Sequence, residues 1–250
     1  MRTGNMRTRA GSLFLLVVLS VAFAPLGLRA ADSWTDTYDR LLKKYVSGGG
    51  VKYAAWKTSA GDLKDLQAVV DGIGSANVGS MSRNDQLAFY INAYNAWILH
   101  EALEKYPTKS VKDTLFTFFT GKRIKVAGEQ TSFNALEKET IRSKFSEPRV
   151  HFALNCASQS CPPLSSDAFR GGSLESQLER LSKSFVNTPK GVVYQEGAKA
   201  AELSKIFDWY KDDFKDGGAL AFINKRRSKP LPGDVKISYQ DYNWALNEVK

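Results

Sequence analysis

His151, Cys156 and Cys161 lie in one short segment and are the residues best suited to covalent chemistry. The segment holds both cysteines and one of the two histidines of the chain. A thiolate is a strong nucleophile, and a neighbouring imidazole can accept the thiol proton. The residue types therefore indicate a candidate cysteine–histidine site for attack on amide bonds, in a hydrolase or an acyl-transferase.

The order of these residues decides which thiol is the better candidate. The apolar run 150–155 predicts a buried strand, in which successive side chains alternate between two faces. Cys156 then lies on the face opposite His151 and is expected in the core, whereas Cys161, beyond the turn, can fold back towards the imidazole. We therefore predict Cys161 as nucleophile and His151 as base. Glu137, on a predicted helix, is either the acid that orients His151 or a solvated carboxylate.

The two cysteines have a second interpretation that removes this chemistry. In an exported chain, a close pair favours a local disulfide between Cys156 and Cys161, which would leave neither thiol free to react. The histidines and cysteines match no standard zinc spacing, and the chain has no Walker or dinucleotide-binding glycine pattern. We predict no metal and no cofactor.

The strongest predicted element is a helix over residues 82–105, with Ser82 as N-cap and Pro107 just beyond its end. Apolar residues surround it almost completely, which is typical of a buried central helix. Asn92 and Asn95 share one of its faces. A buried amide costs about 1–3 kcal/mol unless it is hydrogen-bonded, so each amide needs partners. The partners are either backbone groups of loops and strand ends or a ligand at the floor of a pocket.

The pattern of residues 31–250 predicts a single α+β domain. No repeat, low-complexity tract or linker divides it. Its predicted strands are few and short and alternate with helices, among them an amphipathic helix over 174–186. We expect the buried central helix to pack on a small mixed or antiparallel sheet.

The first thirty residues have the order of a signal peptide, with a basic start, an apolar run and small residues at the end. The run at 13–24 is shorter than the roughly 20 residues that a membrane-spanning helix needs. We expect cleavage near Ala30, a periplasmic or secreted protein, and no transmembrane segment in the mature chain. Residues 1–30 contain four arginines and no acid, so the net charge falls from +9 to +5. That charge predicts no nucleic-acid binding.

Several motifs in series resemble a bacterial and eukaryotic family, the domain of unknown function numbered 547. The motifs are Leu87–Trp97, Ser132–Glu137, Pro148–Cys156, Ser160–Pro163, Leu203–Phe214 and Tyr242–Asn247. They span most of residues 31–250 in order, and the resemblance implies a family without implying an activity. Within the motifs the family pattern includes Asn92, Asn95, Glu137, Arg149, His151, Asn155, Cys156 and Cys161.

A buried helix followed by a hairpin and a histidine-bearing strand is also similar to the papain and transglutaminase arrangement. In those folds the N-terminus of the helix carries the nucleophilic cysteine. Here the helix has Asn92 and Asn95 and no cysteine. If the architecture is shared, either the nucleophile has moved to Cys161 or the site binds a ligand without reacting.

Three functions are therefore compatible with the sequence. We predict a noncatalytic module that binds an unknown small molecule or peptide in a polar pocket near Asn92, Asn95, Arg149, Asn155 and His151. The alternative is the cysteine-dependent hydrolase or acyl-transferase that uses Cys161 and His151. The second alternative is a structural domain in which the same residues form a satisfied buried polar network.

Overall fold

Helices dominate the described part of the chain, which in this computed structural model comprises residues 1, 33–112, 119–215 and 217–250. The helices are α1 (Trp34–Tyr45), α2 (Tyr53–Lys57), α3 (Ala60–Ser75), α4 (Arg83–Lys105), α5 (the consecutive segments Phe133–Ala135, Leu136–Arg142, which is π-helical, and Ser143–Phe145), α6 (Leu174–Val186), α7 (Ile206–Trp209) and α8 (Gly218–Asn224). The strands are β1 (Val46–Ser47), β2 (Gly50–Val51), β3 (Ile124–Val126), β4 (Glu129–Thr131), β5 (Val192–Gln195), β6 (Ala200–Leu203) and β7 (Lys236–Tyr239).

Helix α4 lies at the centre of the larger of two hydrophobic clusters. The Ser82 hydroxyl caps its first turn by accepting the N–H of Asp85 (3.2 Å). Buried residues such as Ile91, Tyr94 and Ala96 occupy all of its sides, which confirms the predicted central position. It packs mainly against α2, α3, the π-helical part of α5 and the short turn Gly171–Ser173. Its main neighbours are helical because no strand within the described ranges is longer than four residues, too short to cover a helix of 23.

The second hydrophobic cluster is built on a three-stranded mixed sheet. Strand β6 is central, with β5 antiparallel on one side and β7 parallel on the other. The chain between β6 and β7 includes α7 and α8, as a parallel pair requires a long crossover. Phe185 of α6, Phe207 of α7 and Ile223 of α8 are buried in this cluster.

Residues 148–155 join the two clusters and do not form the predicted strand. Pro148–Phe152 is a 3-10 helix, and the N–H groups of Ala153 and Leu154 both donate to the Val150 carbonyl (2.9 Å each). Val150 belongs to the first cluster and Phe152 to the second. A short apolar run is compatible with a buried strand or a buried helical turn. The prediction of a strand is wrong because Pro148 starts a helical turn and supplies no N–H to a ladder.

The α+β class is confirmed, and the mixed sheet has the predicted small size. The papain-like comparison stays a hypothesis, since the histidine lies on a 3-10 helix rather than on a strand. The predicted signal peptide, residues 1–30, lies outside the described residues except for Met1. No helix in the described ranges combines the length and the apolar character needed to cross a bilayer.

Candidate functional site

A cavity of about 320 Å³ opens where the two hydrophobic clusters meet. Leu154 of the first cluster and Ile206 of the second both contribute to its wall. The aromatic residues of the wall are Tyr94, Phe119, Trp209, Tyr210, Tyr242 and Trp244. Its chemically reactive residues are Glu137, His151, Cys156 and Cys161, so the cavity brings together the cysteines, the histidine and the acid singled out in the sequence.

His151 is held rigidly on this wall by an acid and an aromatic ring. Its Nε2 lies 2.7 Å from Oδ2 of Asp213, and its ring stacks on Tyr210 at 3.9 Å between centroids. Arg142 binds both carboxylate oxygens of Asp213 at 2.6 and 3.0 Å. The imidazole is buried, with 4% of the residue exposed. The acidic partner of His151 is therefore Asp213, and the assignment of Glu137 to that position is corrected.

The neighbouring charges act on Asp213 and Tyr210 in opposite directions. The hydrogen bond to His151, followed by that to Arg142, holds the pKa of Asp213 well below its ordinary value. Burial raises the pKa of Tyr210 far above its usual range, and the nearby Glu137 carboxylate raises it further. Asp213 is consequently a stable anion, and Tyr210 is a neutral hydrogen-bond donor beside Glu137.

Cys156 and Cys161 lie side by side on the same cavity wall as free cysteines, with their sulfurs 2.8 Å apart. Ala157 adopts a left-handed conformation (φ 63°) that turns the chain sharply after Cys156. The N–H of Cys156 donates to the sulfur of Cys161 (3.0 Å). The hydroxyls of Ser158 and Tyr242 lie 3.1 and 3.3 Å from the sulfur of Cys156. The predicted disulfide stays a prediction for this pair.

The surroundings of the two sulfurs separate their acidities. The hydrogen bond from Cys161, with those from Ser158 and Tyr242, lowers the pKa of Cys156 below the ordinary thiol value. Burial raises the pKa of Cys161 well above that value. Cys156 is half-buried, whereas Cys161 is 7% exposed. The structure thus favours Cys156 as the thiolate rather than Cys161, and Cys156 lies on the cavity wall rather than in the core, because the strand alternation behind both expectations does not exist.

Asn92 and Asn95 do not line the cavity. The amide of Asn92 donates to the Phe169 carbonyl and accepts the Phe169 N–H, both at 2.8 Å. The amide of Asn95 donates to the Ala153 carbonyl and accepts the Asn155 N–H, both at 2.9 Å. Each residue is 2% exposed and fastens a loop to α4. This is the first of the two roles left open for them, and it removes them from the predicted pocket.

Asn155 and Arg149 also lie away from the cavity wall. Asn155 spans the cysteine loop, because its amide donates to the Pro162 carbonyl and accepts the Ala157 N–H, both at 2.8 Å. It therefore positions both cysteines. Arg149 forms ion pairs with Glu147 (2.6 Å) and Glu175 (2.7 Å). These pairs hold its guanidinium away from the cavity. Of the predicted binding residues, only His151 lines the cavity.

Trp209, Tyr242 and Trp244 form an aromatic cluster on the wall that the sequence did not single out as a site. The Tyr242 ring lies 4.7 Å from that of Trp209 and 4.5 Å from that of Trp244. Backbone bonds from Gln159 to Ala245 (2.8 Å) and from Ser160 to Asn243 (3.1 Å) hold this C-terminal segment beside the cysteine loop. All three aromatic residues fall in the family motifs, which was the available signal.

The fold and the site define an α+β domain with an aromatic cavity that contains two thiols and a histidine–aspartate pair. No group of three or more metal-ligating side chains is arranged for a metal ion in the described ranges. Residues 78–186 match a family model described as protein of unknown function, DUF547, which confirms the predicted resemblance to that family. The matched segment includes α4, His151 and both cysteines, whereas Asp213 and the C-terminal aromatic residues lie beyond it. Comparison with curated proteins and with solved structures finds no match.

Proposed function

We propose that this protein is a binding module for a small molecule or peptide side chain that carries a planar apolar group. The observation that carries the proposal is the aromatic cavity of about 320 Å³ at the junction of the two clusters. That volume is within the range of small-ligand pockets, which combine apolar walls with a few placed polar groups. The expected location is the periplasm or the cell exterior, after removal of residues 1–30.

The wall supports a mixed mode of recognition. Trp209 is 45% exposed and can cover one face of a planar ligand without rearrangement. Lys112, whose amine lies 5.2 Å from the centre of the Trp244 ring, and Glu137 supply one charge of each sign to the wall. A ligand with an aromatic body and a polar end fits this combination.

A matched set of probes tests the proposal: phenylacetate, phenylacetamide and benzylamine, which share a ring and differ in charge. We expect at least one probe to quench tryptophan fluorescence with saturation in the millimolar range or below, a fragment affinity of about 4 kcal/mol or more. Trp209→Ala should weaken that probe at least about fivefold, since stacking contributes roughly 1 kcal/mol. Tyr239→Ala removes an aromatic residue that is 39% exposed but outside the cavity, and it should change nothing. Equal loss in both variants, or no saturable binding of any probe, contradicts the proposal.

A second candidate function is cysteine-dependent acyl transfer or hydrolysis, with Cys156 in place of Cys161. The observation that favours it is that Cys156, whose pKa is lowered, and His151, oriented by Asp213, share one cavity. Among the hydrogen bonds of the described residues, none joins His151 to either thiol. We therefore rank this function below binding.

Hydrolysis of p-nitrophenyl acetate by the reduced protein tests this second function. Cys156→Ser should abolish the reaction above background, and His151→Gln should lower it at least about a hundredfold if the imidazole acts as the base. An unchanged rate in His151→Gln would show only the intrinsic reactivity of a thiolate and would exclude the proposed enzymatic function.

A further inference from the structure

We propose that Cys156 and Cys161 form a thiol–disulfide exchange site, with Cys156 as the attacking residue and Cys161 as the resolving residue, acting on a disulfide that enters the aromatic cavity. The inference does not depend on the aromatic ligand proposed above, because the exchange needs only access to Cys156. Three features of the pair support it.

The first feature is the unequal position of the two sulfurs. Both cysteines line the cavity wall, but Cys156 is half-buried whereas Cys161 is only 7% exposed. A disulfide that enters the cavity therefore reaches Cys156 more readily than Cys161. This division between an accessible and a shielded thiol is what a two-step exchange needs, because the second thiol must wait for the first to react.

The second feature is that the fold holds the two sulfurs ready to join. They are 2.8 Å apart, and a disulfide bond of about 2.05 Å requires them to approach by roughly 0.8 Å. The Asn155 side chain fixes the backbone beyond each cysteine, at Ala157 and at Pro162. The pair can therefore change between two thiols and a disulfide without rearranging the core.

The third feature is a set of donors around the sulfur of Cys156. Ser158 donates its hydroxyl proton to the Tyr242 oxygen (2.8 Å), which leaves the Tyr242 proton free to point at that sulfur, 3.3 Å away. The Cys161 thiol supplies a second donor at 2.8 Å. Hydrogen bonds to the charged form stabilise a thiolate, in agreement with the lowered pKa of Cys156.

The proposed exchange accounts for every proton and leaving group. The Cys156 thiolate attacks one sulfur of the substrate disulfide, a mixed disulfide forms, and the other substrate sulfur leaves as a thiolate. Cys161 then loses its proton to solvent or to that thiolate and attacks the sulfur of Cys156. The second substrate thiolate leaves as the Cys156–Cys161 disulfide forms. The substrate disulfide is the oxidant, and the protein dithiol is the reductant, so the exchange is balanced.

The test uses the protein, reduced and then mixed with oxidised glutathione or, in a second arm, with a short peptide closed by a disulfide. Acid quenching and alkylation at successive times, followed by mass spectrometry, report each species. We expect the wild type to reach the intramolecular disulfide and Cys161→Ser to stop at a mixed disulfide on Cys156. Cys156→Ser should form a mixed disulfide at least about tenfold more slowly.

Two controls keep the result independent of folding. Peptide mapping of the wild type, quenched early, should find the mixed disulfide on Cys156 without any substitution. In concentrated urea the two serine variants should react at equal rates, because the difference between their rates is imposed by the fold.

Equal rates in the native variants would overturn the proposal. So would a native dithiol that resists excess oxidised glutathione, or a native disulfide that dithiothreitol opens only after denaturation. If only one of the two disulfides reacts, the result identifies the substrate as either a low-molecular-weight disulfide or a peptide disulfide.

Discussion

Three hydrogen-bonding groups surround the sulfur of Cys156, and this environment has a measurable consequence. Its pKa is below the ordinary thiol value of about 8.5, chiefly through the Cys161 thiol and then through Ser158 and Tyr242. A lowered pKa keeps the thiolate populated at neutral pH. We predict that the rate of iodoacetamide reaction with reduced Cys156 rises to its plateau at a lower pH than for a free cysteine.

Two substitutions measure how much each hydrogen-bonding group lowers the pKa of Cys156. Cys161→Ala should move the inflection of that pH profile upward most and Tyr242→Phe less, since the first removes the largest stabilising interaction. Tyr239→Phe is the matched control, because Tyr239 lies outside the cavity wall. Mass spectrometry of the peptide that carries Cys156 measures the rate. A wild-type inflection at the ordinary thiol value would show that the thiolate is not stabilised.

Asp213 is the acid on which His151 and Arg142 both depend. The folded state depresses its pKa, so its contribution to stability is present above the unfolded value of about 3.9 and is lost as the pH falls below it. We predict that Asp213→Asn lowers the free energy of unfolding by about 1–2 kcal/mol at pH 7, because the carboxylate is partly exposed and screened. The difference from the wild type should shrink progressively as the pH falls from about 4 towards 2, because the folded pKa lies below that range.

Urea denaturation at several pH values measures this difference. Asp208→Asn is the control, since Asp208 pairs with Lys205 at the surface (2.9 Å) and the substitution should cost less than about 0.5 kcal/mol. A penalty for Asp213→Asn that stayed constant down to pH 2 would assign the loss to packing rather than to charge.

At the scale of elements, side chains of α4 provide hydrogen-bond partners for backbone groups of loops that have no regular secondary structure. Asn95 satisfies the Ala153 carbonyl and the Asn155 N–H, both deep in the protein. We predict that Asn95→Ala lowers the free energy of unfolding by about 2–4 kcal/mol, because two buried backbone groups lose their partners. Asn95→Asp should also destabilise, since a carboxylate cannot donate to Ala153. Urea denaturation measures both, and the exposed Asn77→Ala, below about 0.5 kcal/mol, is the control. If Asn95→Ala destabilised the protein no more than Asn77→Ala, this role of α4 would be contradicted.

The elements that were predictable from the sequence are those with a local periodic pattern. Helix α6 has the predicted bounds, and α4 has the predicted cap at Ser82, because apolar spacing and capping are properties of neighbouring residues. The 148–152 turn was not predictable, since its apolar residues enter two different clusters and carry no single period. Asp213 was missed as the partner of His151 because a contact over 62 residues depends on how α7 and the following turn dock.

The same limit applies to the cavity wall. Tyr242 and Trp244 lie beside the cysteine loop because backbone bonds join the C-terminal segment to residues 157–160, and the Ser158 hydroxyl donates to the Tyr242 oxygen (2.8 Å). The motifs marked these residues as part of the family pattern, but nothing in the spacing predicted their neighbours. The residues that could do chemistry were therefore identified, whereas their order of importance required the tertiary contacts.

At the scale of the whole molecule, the two hydrophobic clusters share two segments: helix α6, which places Leu178 in the first cluster and Phe185 in the second, and the turn 148–152. Val150 is buried in the first and Phe152 in the second, where the Phe152 ring contacts those of Phe185 (5.4 Å) and Phe222 (5.4 Å). One 3-10 turn thus places one residue in each of the two clusters. Such a connection should make the clusters unfold together rather than as independent units.

We predict that Phe152→Ala lowers the free energy of unfolding by about 3–5 kcal/mol, and that Phe152→Leu, which leaves a smaller cavity, costs clearly less. In both variants, tryptophan fluorescence and far-UV circular dichroism should follow one coincident urea transition, because Trp56 is buried in the first cluster and the substituted ring lies in the second. If the fluorescence midpoint stayed at the wild-type value while the circular dichroism split into two transitions, the clusters would be separate folding units. The cavity between them would then be a cleft between two such units rather than a pocket within one cooperative fold.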